Sequence, residues 1–146
     1  YYELKGQILY ESGKIEDSIK PYTIALEIEE KEPLLMVGLA TALNARGDKG
    51  DAKKAINLLK ESLKYDKKNS QTWYQLAISY SDEKNIGMAE LSSAERHFLT
   101  GNTKMASFHA KKSLRYLNNS DIFKLRAQDI LIDAENKAKW KRRCPV

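Results

Sequence analysis

Two histidines, a lone cysteine and scattered carboxylates are the side chains here whose types can carry chemistry. His97 and His109 stand twelve residues apart on what the pattern below makes neighbouring helices, where Glu95 or Asp121 could join them around a metal ion. A zinc site fixes a third and fourth ligand by spacing, and a peptidase HExxH pair places two histidines four apart on one helical face. Neither spacing occurs, so both histidines read as structural or surface groups. Cys144 has no partner for an internal disulfide. It lies beside Pro145 near the last residue, without the electropositive surroundings a nucleophilic thiolate needs. Glu16-Asp17 and Glu29-Glu30 fall at a helix start or on exposed positions, where the macrodipole or water accommodates them. Glycines occur singly, so no loop cradles phosphate. The reading assigns no catalytic, cofactor-binding or metal-ligating residue.

The elements that position these groups are helices. Seven glycines and three prolines punctuate stretches rich in Ala, Leu, Lys and Glu, a helix-forming composition. Ser18, Tyr22, Ala25 and Leu26 form a stripe at spacings of four, three and one, repeated as Ala55, Leu59, Ser62, Leu63 and as Ala106, Ala110, Ser113, Leu114. A second stripe, Met36, Leu39, Ala40, Leu43, matches Trp73, Leu76, Ala77, Tyr80, which is W-x2-L-A-x2-Y, the tetratricopeptide (TPR) signature. Its small residues belong where antiparallel helices cross closely, and Gly6, Ala25, Ala40, Ala55 and Ala77 are the expected crossing points.

The expected fold is all-α, a TPR-like α-solenoid of four hairpins. Its eight helices are expected near 2–12, 15–30, 33–46, 51–65, 70–83, 87–100, 103–117 and 120–139. Pro33 suits a helix start, and Asn69-Ser70 and Asn119-Ser120-Asp121 supply caps. The turn from Arg46 to Asp51 carries about three residues more than the repeat needs. In the sixth helix Glu90 and Ser93 replace large apolar residues, and that helix reads as the first of a repeat although counting makes it a second. A phase slip near residue 90 and a C-terminal capping helix follow. Residues 1–139 form the repeat domain, with 140–146 as a basic tail.

Hydrophobic residues at 42% and charged residues at 31% place the chain among globular rather than disordered proteins. No apolar run approaches the roughly 20 residues of a membrane helix, so no membrane insertion is expected. The net charge of +5 is interspersed except at Lys137, Lys139, Lys141, Arg142 and Arg143 around Trp140, where cations suit a helix C-terminus. That stretch lacks the aromatic platform of single-strand binders, so no nucleic acid is expected as a partner. The opening residues, from Tyr1 to Gly6, read as a helix interior, which leads us to expect sequence upstream.

Four strings carry a narrower likeness: Tyr-Glu-Leu-Lys-Gly-Gln-Ile-Leu-Tyr-Glu-Ser-Gly (2–13), Trp-Tyr-Gln-Leu-Ala-Ile-Ser-Tyr (73–80), Gly-Met-Ala-Glu-Leu-Ser-Ser-Ala-Glu (87–95) and Leu-Arg-Ala-Gln-Asp-Ile-Leu (125–131). Across nearly its whole length the chain resembles the C-terminal TPR region of BepA-type bacterial zinc metallopeptidases. The resemblance implies a parent with a signal peptide, an HExxH catalytic domain that alone holds zinc, and a place in the periplasm or cell envelope. There it would serve quality control of outer-membrane proteins. The partners implied are protein or peptide substrates and the parent's own protease domain.

A TPR superhelix lines its inner groove with the first helix of each pair. That register puts Gln7, Tyr10, Glu11, Thr41, Asn44, Tyr74, Ile78 and Ser81 in the groove, joined by Phe98 if the slip turns the sixth helix inward. Rings that bury area beside amides that bond backbone suit extended peptide. A clamp for an acidic chaperone tail would pair Lys with Asn four residues on, whereas Lys5 is followed by Leu9. The expected function is therefore a non-catalytic protein-interaction scaffold that docks or regulates access of substrates. A free-standing adaptor assembling protein complexes is the alternative.

Overall fold

The computed structural model describes residues 1–144, and every regular element among them is helical. The order is α1 (Tyr2–Glu11), α2 (Ile15–Ile28), α3 (Pro33–Arg46), α4 (Asp51–Tyr65), α5 (Ser70–Asp82), α6 (Ile86–Leu99), α7 (Thr103–Leu114) and α8 (Ile122–Arg143). Each helix packs on its neighbours in sequence, giving an α-solenoid of hairpins. The helix starts follow local chemistry. Asn69 and Asp121 accept hydrogen bonds from the backbone N–H groups of Gln71 and Phe123, and Glu32 caps α3 ahead of Pro33.

One turn geometry recurs and fixes the phase of the array. Gly13 N–H donates to the Tyr10 carbonyl and Lys14 N–H to that of Leu9. The same pair of bonds recurs from Lys84 and Asn85 to Ser81 and Tyr80, and from Gly101 and Asn102 to Phe98 and His97. The middle residue of each turn has positive φ, a conformation natural to glycine, and among the described residues Lys84 at φ 58° is the one non-glycine to adopt it. Two of these turns flank α6. It closes the hairpin with α5 and opens the next with α7, which is the expected slip in structural form. Across the hairpins α1 packs on α3 and α3 on α5, after which α6 packs on α8 and the α5 backbone does not approach that of α7 closely.

The slip corrects one crossing point. Gly6, Ala25, Ala40 and Ala55 are buried as expected, but Ala77 is half-exposed, because α5 has no following first helix to press on that side. The extra residues of the α3–α4 turn are held by Asp51. Its buried carboxylate takes two bonds of 2.8 Å from the Arg46 guanidinium and one of 3.0 Å from Asp48 N–H. The Arg46 hydrogen bonds hold the Asp51 carboxyl below its ordinary range despite burial.

Two cores result. The first gathers Tyr22, Val37, Leu39, Leu43, Leu59 and Leu76, with Trp73 and Tyr80 packed against it. The Tyr22 ring is wedged between α1 and α3. A Cβ added at Gly6 would lie 2.9 Å from it, and one at Gly38 2.7 Å. The second core, Leu91, Ala94, Ala106, Ala110, Ala127, Ile130 and Ala134, joins α6, α7 and α8. α8 outruns its expected end at 139 and continues through Trp140, Lys141, Arg142 and Arg143. Strong helix formers and C-terminal cations explain the extension. α7 correspondingly stops at Leu114, short of the expected 117. Pro145 and Val146 of the expected tail lie outside the described residues.

Candidate functional site

The expected groove residues sit on α1, α3, α5 and α6, and the structure sorts them by what remains free to bind. Asn44 is engaged between helices. Its Nδ2 donates to Gln75 Oε1 at 2.9 Å and to the Gln75 carbonyl at 3.2 Å, and its Oδ1 accepts from Ser79 Oγ at 2.8 Å. This amide ties α3 to α5 and does not offer itself to a peptide backbone. Thr41 is similarly occupied, its hydroxyl donating to the Val37 carbonyl at 2.7 Å on its own helix. Gln7 donates to Glu11 along the exposed face of α1 at 2.9 Å, a surface bond that a ligand can displace.

Tyr10 is half-buried against the first core, while Tyr74 is 39% exposed and Ser81 exposed further along α5. The Arg96 guanidinium of α6 lies 4.5 Å from the centroid of the Tyr74 ring. A cation over an aromatic face is attracted by about 0.5–1 kcal/mol at such exposed sites. Arg96 was missed because the groove was read from first helices and Phe98 alone, whereas Arg96 comes from α6, the hairpin partner of α5. Phe98, admitted to the groove only if the slip turned α6 inward, packs against the second core with the Lys137 ammonium 4.2 Å from its ring centroid. Of the expected set, Tyr10, Tyr74, Ile78, Ser81, Gln7 and Glu11 thus keep groups available.

The two histidines do meet, though around a different carboxylate from the ones proposed. Their rings lie parallel with centroids 5.4 Å apart. His109 Nδ1 is 2.6 Å from Glu90 Oε2, and Lys112 Nζ is 2.7 Å from Glu90 Oε1. Burial pushes the Glu90 carboxyl up, but hydrogen bonds from His109 and Lys112 outweigh it and hold the group below its ordinary value. Burial and the charges of His109 and Arg96 lower the His97 pKa. Glu90 was legible as the place where a large apolar residue was missing; the signal named the position and not its partners.

Glu95 is drawn away from the histidines by Arg126 of α8, through bonds of 2.5 and 2.9 Å to its two oxygens. Asp121 caps α8. Among the described residues no group of three or more His, Cys, Asp or Glu side chains could hold a metal ion. Cys144 is exposed. Among the described residues no helix is long and apolar enough to cross a membrane. In comparisons with known proteins, no protein-family model and no curated protein matches the chain.

Proposed function

We propose that this chain is a non-catalytic TPR scaffold that docks extended protein segments along the row formed by α1, α3 and α5. The observation that carries the reading is the division just described. Asn44 ties α3 to α5 and Thr41 is bonded within its own helix, while Tyr10, Tyr74, Ile78 and Ser81 keep side chains at least partly exposed to engage a partner. Rigid helices presenting rings beside hydroxyls suit an extended peptide, whose side chains bury area and whose backbone needs hydrogen-bond partners. The resemblance carried by residues 2–13, 73–80, 87–95 and 125–131 adds a context. In that context the scaffold is the C-terminal module of a periplasmic or cell-envelope zinc metallopeptidase, and controls access of outer-membrane protein substrates to the catalytic domain.

A Tyr10→Ala, Tyr74→Ala double variant tests the docking surface. Recovery of unfolded outer-membrane protein by the immobilised chain is expected to fall about tenfold, the effect of removing aromatic anchors worth about 1.4 kcal/mol together. Equal recovery by the two proteins removes the groove assignment. The context is tested apart from it: a parent chain without an HExxH helix replaces the peptidase reading with the free-standing adaptor.

A further inference from the structure

A second surface lies away from that row, in a cleft of about 400 Å³ bracketed by α4 and α8. α4 packs on α3 and α5 but on neither α6 nor α8. The slip that turns α6 toward α8 therefore leaves a gap across the ends of four helices. Lys60, Lys64 and Lys67 line one wall and Arg126 the other, with Leu63, Trp73 and Glu95 between them. Four cations thus face one carboxylate, and that carboxylate is already matched.

The pairing of Glu95 leaves cationic capacity in excess. Two N–H groups of Arg126, one on Nε and one on Nη2, are engaged by Glu95, and the side chain is 43% exposed. A guanidinium carries five N–H donors, so three remain for an incoming acceptor. Lys64 pairs with Glu61 at 2.7 Å, whereas among the described residues no carboxylate pairs with Lys60 or Lys67. The cleft is also preorganised. Bidentate bonding to Glu95 ties Arg126 of α8 to α6, and the Trp73 indole N–H reaches the Lys67 carbonyl at 3.4 Å, tying the α4–α5 loop to α5. The indole is half-buried against the first core and stands with Leu63 as an apolar floor beside the lysines.

We propose that this cleft binds an acidic peptide segment bearing an apolar side chain. Its carboxylates would pair with Lys60, Lys67 and the free donors of Arg126, and its apolar group would rest on Trp73 and Leu63. Charge complementarity selects the partner, since bidentate guanidinium geometry matches a carboxylate and the lysines lack competitors. Nucleic acid fits less well. Stacking bases need a series of open rings, and here a single indole lines the cleft, half-buried against the first core.

The test titrates the chain into a short fluorescein-labelled peptide of glutamates around one leucine, read by anisotropy at low salt. A glutamine version of the peptide and an oligothymidylate of equal charge run in parallel. Binding of the acidic peptide alone is expected, with affinity falling about tenfold or more in Lys60→Glu, Lys67→Glu. Both lysines are exposed, and unchanged circular dichroism verifies the fold of that variant. Tyr10→Ala, Tyr74→Ala is expected to bind the peptide normally. Loss in that variant with none in the lysine variant would place the peptide in the α1–α3–α5 row, overturning this inference and leaving the proposed function intact. Absence of binding, or tighter binding of the oligothymidylate, also overturns it.

Discussion

In α1–α5 the space between helices is filled by rings and branched chains, with Tyr22 seated in the notches of Gly6 and Gly38. In α6–α8 five of the seven buried core residues are alanine, and the helices close on one another with little between them. Carboxylates follow the same division. The buried one of the first region, Asp51, is the first residue of α4 and braces the turn before it. Glu90 and Glu95 of the second lie between helix faces, matched by His109, Lys112 and Arg126. One hairpin architecture is therefore stabilised by shape in one region and by polar matching in the other. Burial that needs a matched charge answers to protonation, whereas burial of hydrocarbon does not.

The largest expected effect attacks the shape-based region. Tyr22→Ala empties a site bounded by two glycines, whose missing side chains leave nothing to collapse into the hole, and is expected to cost about 3–5 kcal/mol. Gly38→Ala presses from the other side and is expected to cost about 1–3 kcal/mol in the intact protein. That cost should shrink when Tyr22 is also Leu, because the clashing ring is gone. Urea unfolding of the two single variants and the double measures this coupling. Additive losses would mean that Gly38 does not act through Tyr22. Hydrogen exchange should show α1–α3 opening while amides of α6–α8 keep their protection, as expected of hairpins that contact only their neighbours.

What the residues alone reveal divides along the same line. The stripes of Ser18-Tyr22-Ala25 and Ala106-Ala110-Ser113 were legible because a close crossing admits only small side chains, a demand written locally into each helix. All eight helices were legible from such local periodicity, and the slip near residue 90 from Glu90 and Ser93 standing where large apolar residues belong. Gly38 was not singled out, because its reason is the Tyr22 ring from another hairpin. Asn44 read as a groove amide because spacing gives direction but not partners, and its partners Gln75 and Ser79 come from α5, the first helix of the next hairpin. Ala77 read as a tight crossing because periodicity assumes a following repeat that α6 displaces. The cation cleft combines residues from α4, α5, α6 and α8, so no window of sequence contains it.

Protonation sharpens the comparison at intermediate size. Glu90→Gln removes the charge that His109 and Lys112 address and is expected to cost about 1.5–3 kcal/mol, the range for hydrogen bonds to charged groups. Acid should act on the same place. The His97 pKa is depressed from its ordinary 6.5, so the unfolded chain takes up that proton first, and stability is lost as pH falls below 6.5 toward the folded value. Glu90 is depressed from 4.5, so its contribution is present above 4.5 and lost as pH falls through the folded value. Asp51 in the first region is depressed from 3.8 and gives way only below that. Exchange protection in α6–α8 should therefore decline before that of α1–α5 as pH is lowered from 7. Simultaneous loss in both regions would show that the polar contacts contribute nothing distinctive.

The smallest effect lies at the junction between the regions. Lys84 holds the positive φ that Gly13 and Gly101 hold in the two matching turns, and a side chain there costs about 1 kcal/mol against glycine. Glycine also gives the unfolded chain more freedom, which offsets part of the gain. Lys84→Gly is accordingly expected to raise stability by about 0.5 kcal/mol, a shift of a few degrees at most in Tm. Alanine at the same position keeps the strain without the charge and should leave Tm near that of the parent. A loss of stability with glycine would mean that the lysine side chain contributes something the turn geometry does not show, and that the three turns are alike only in their backbone bonds.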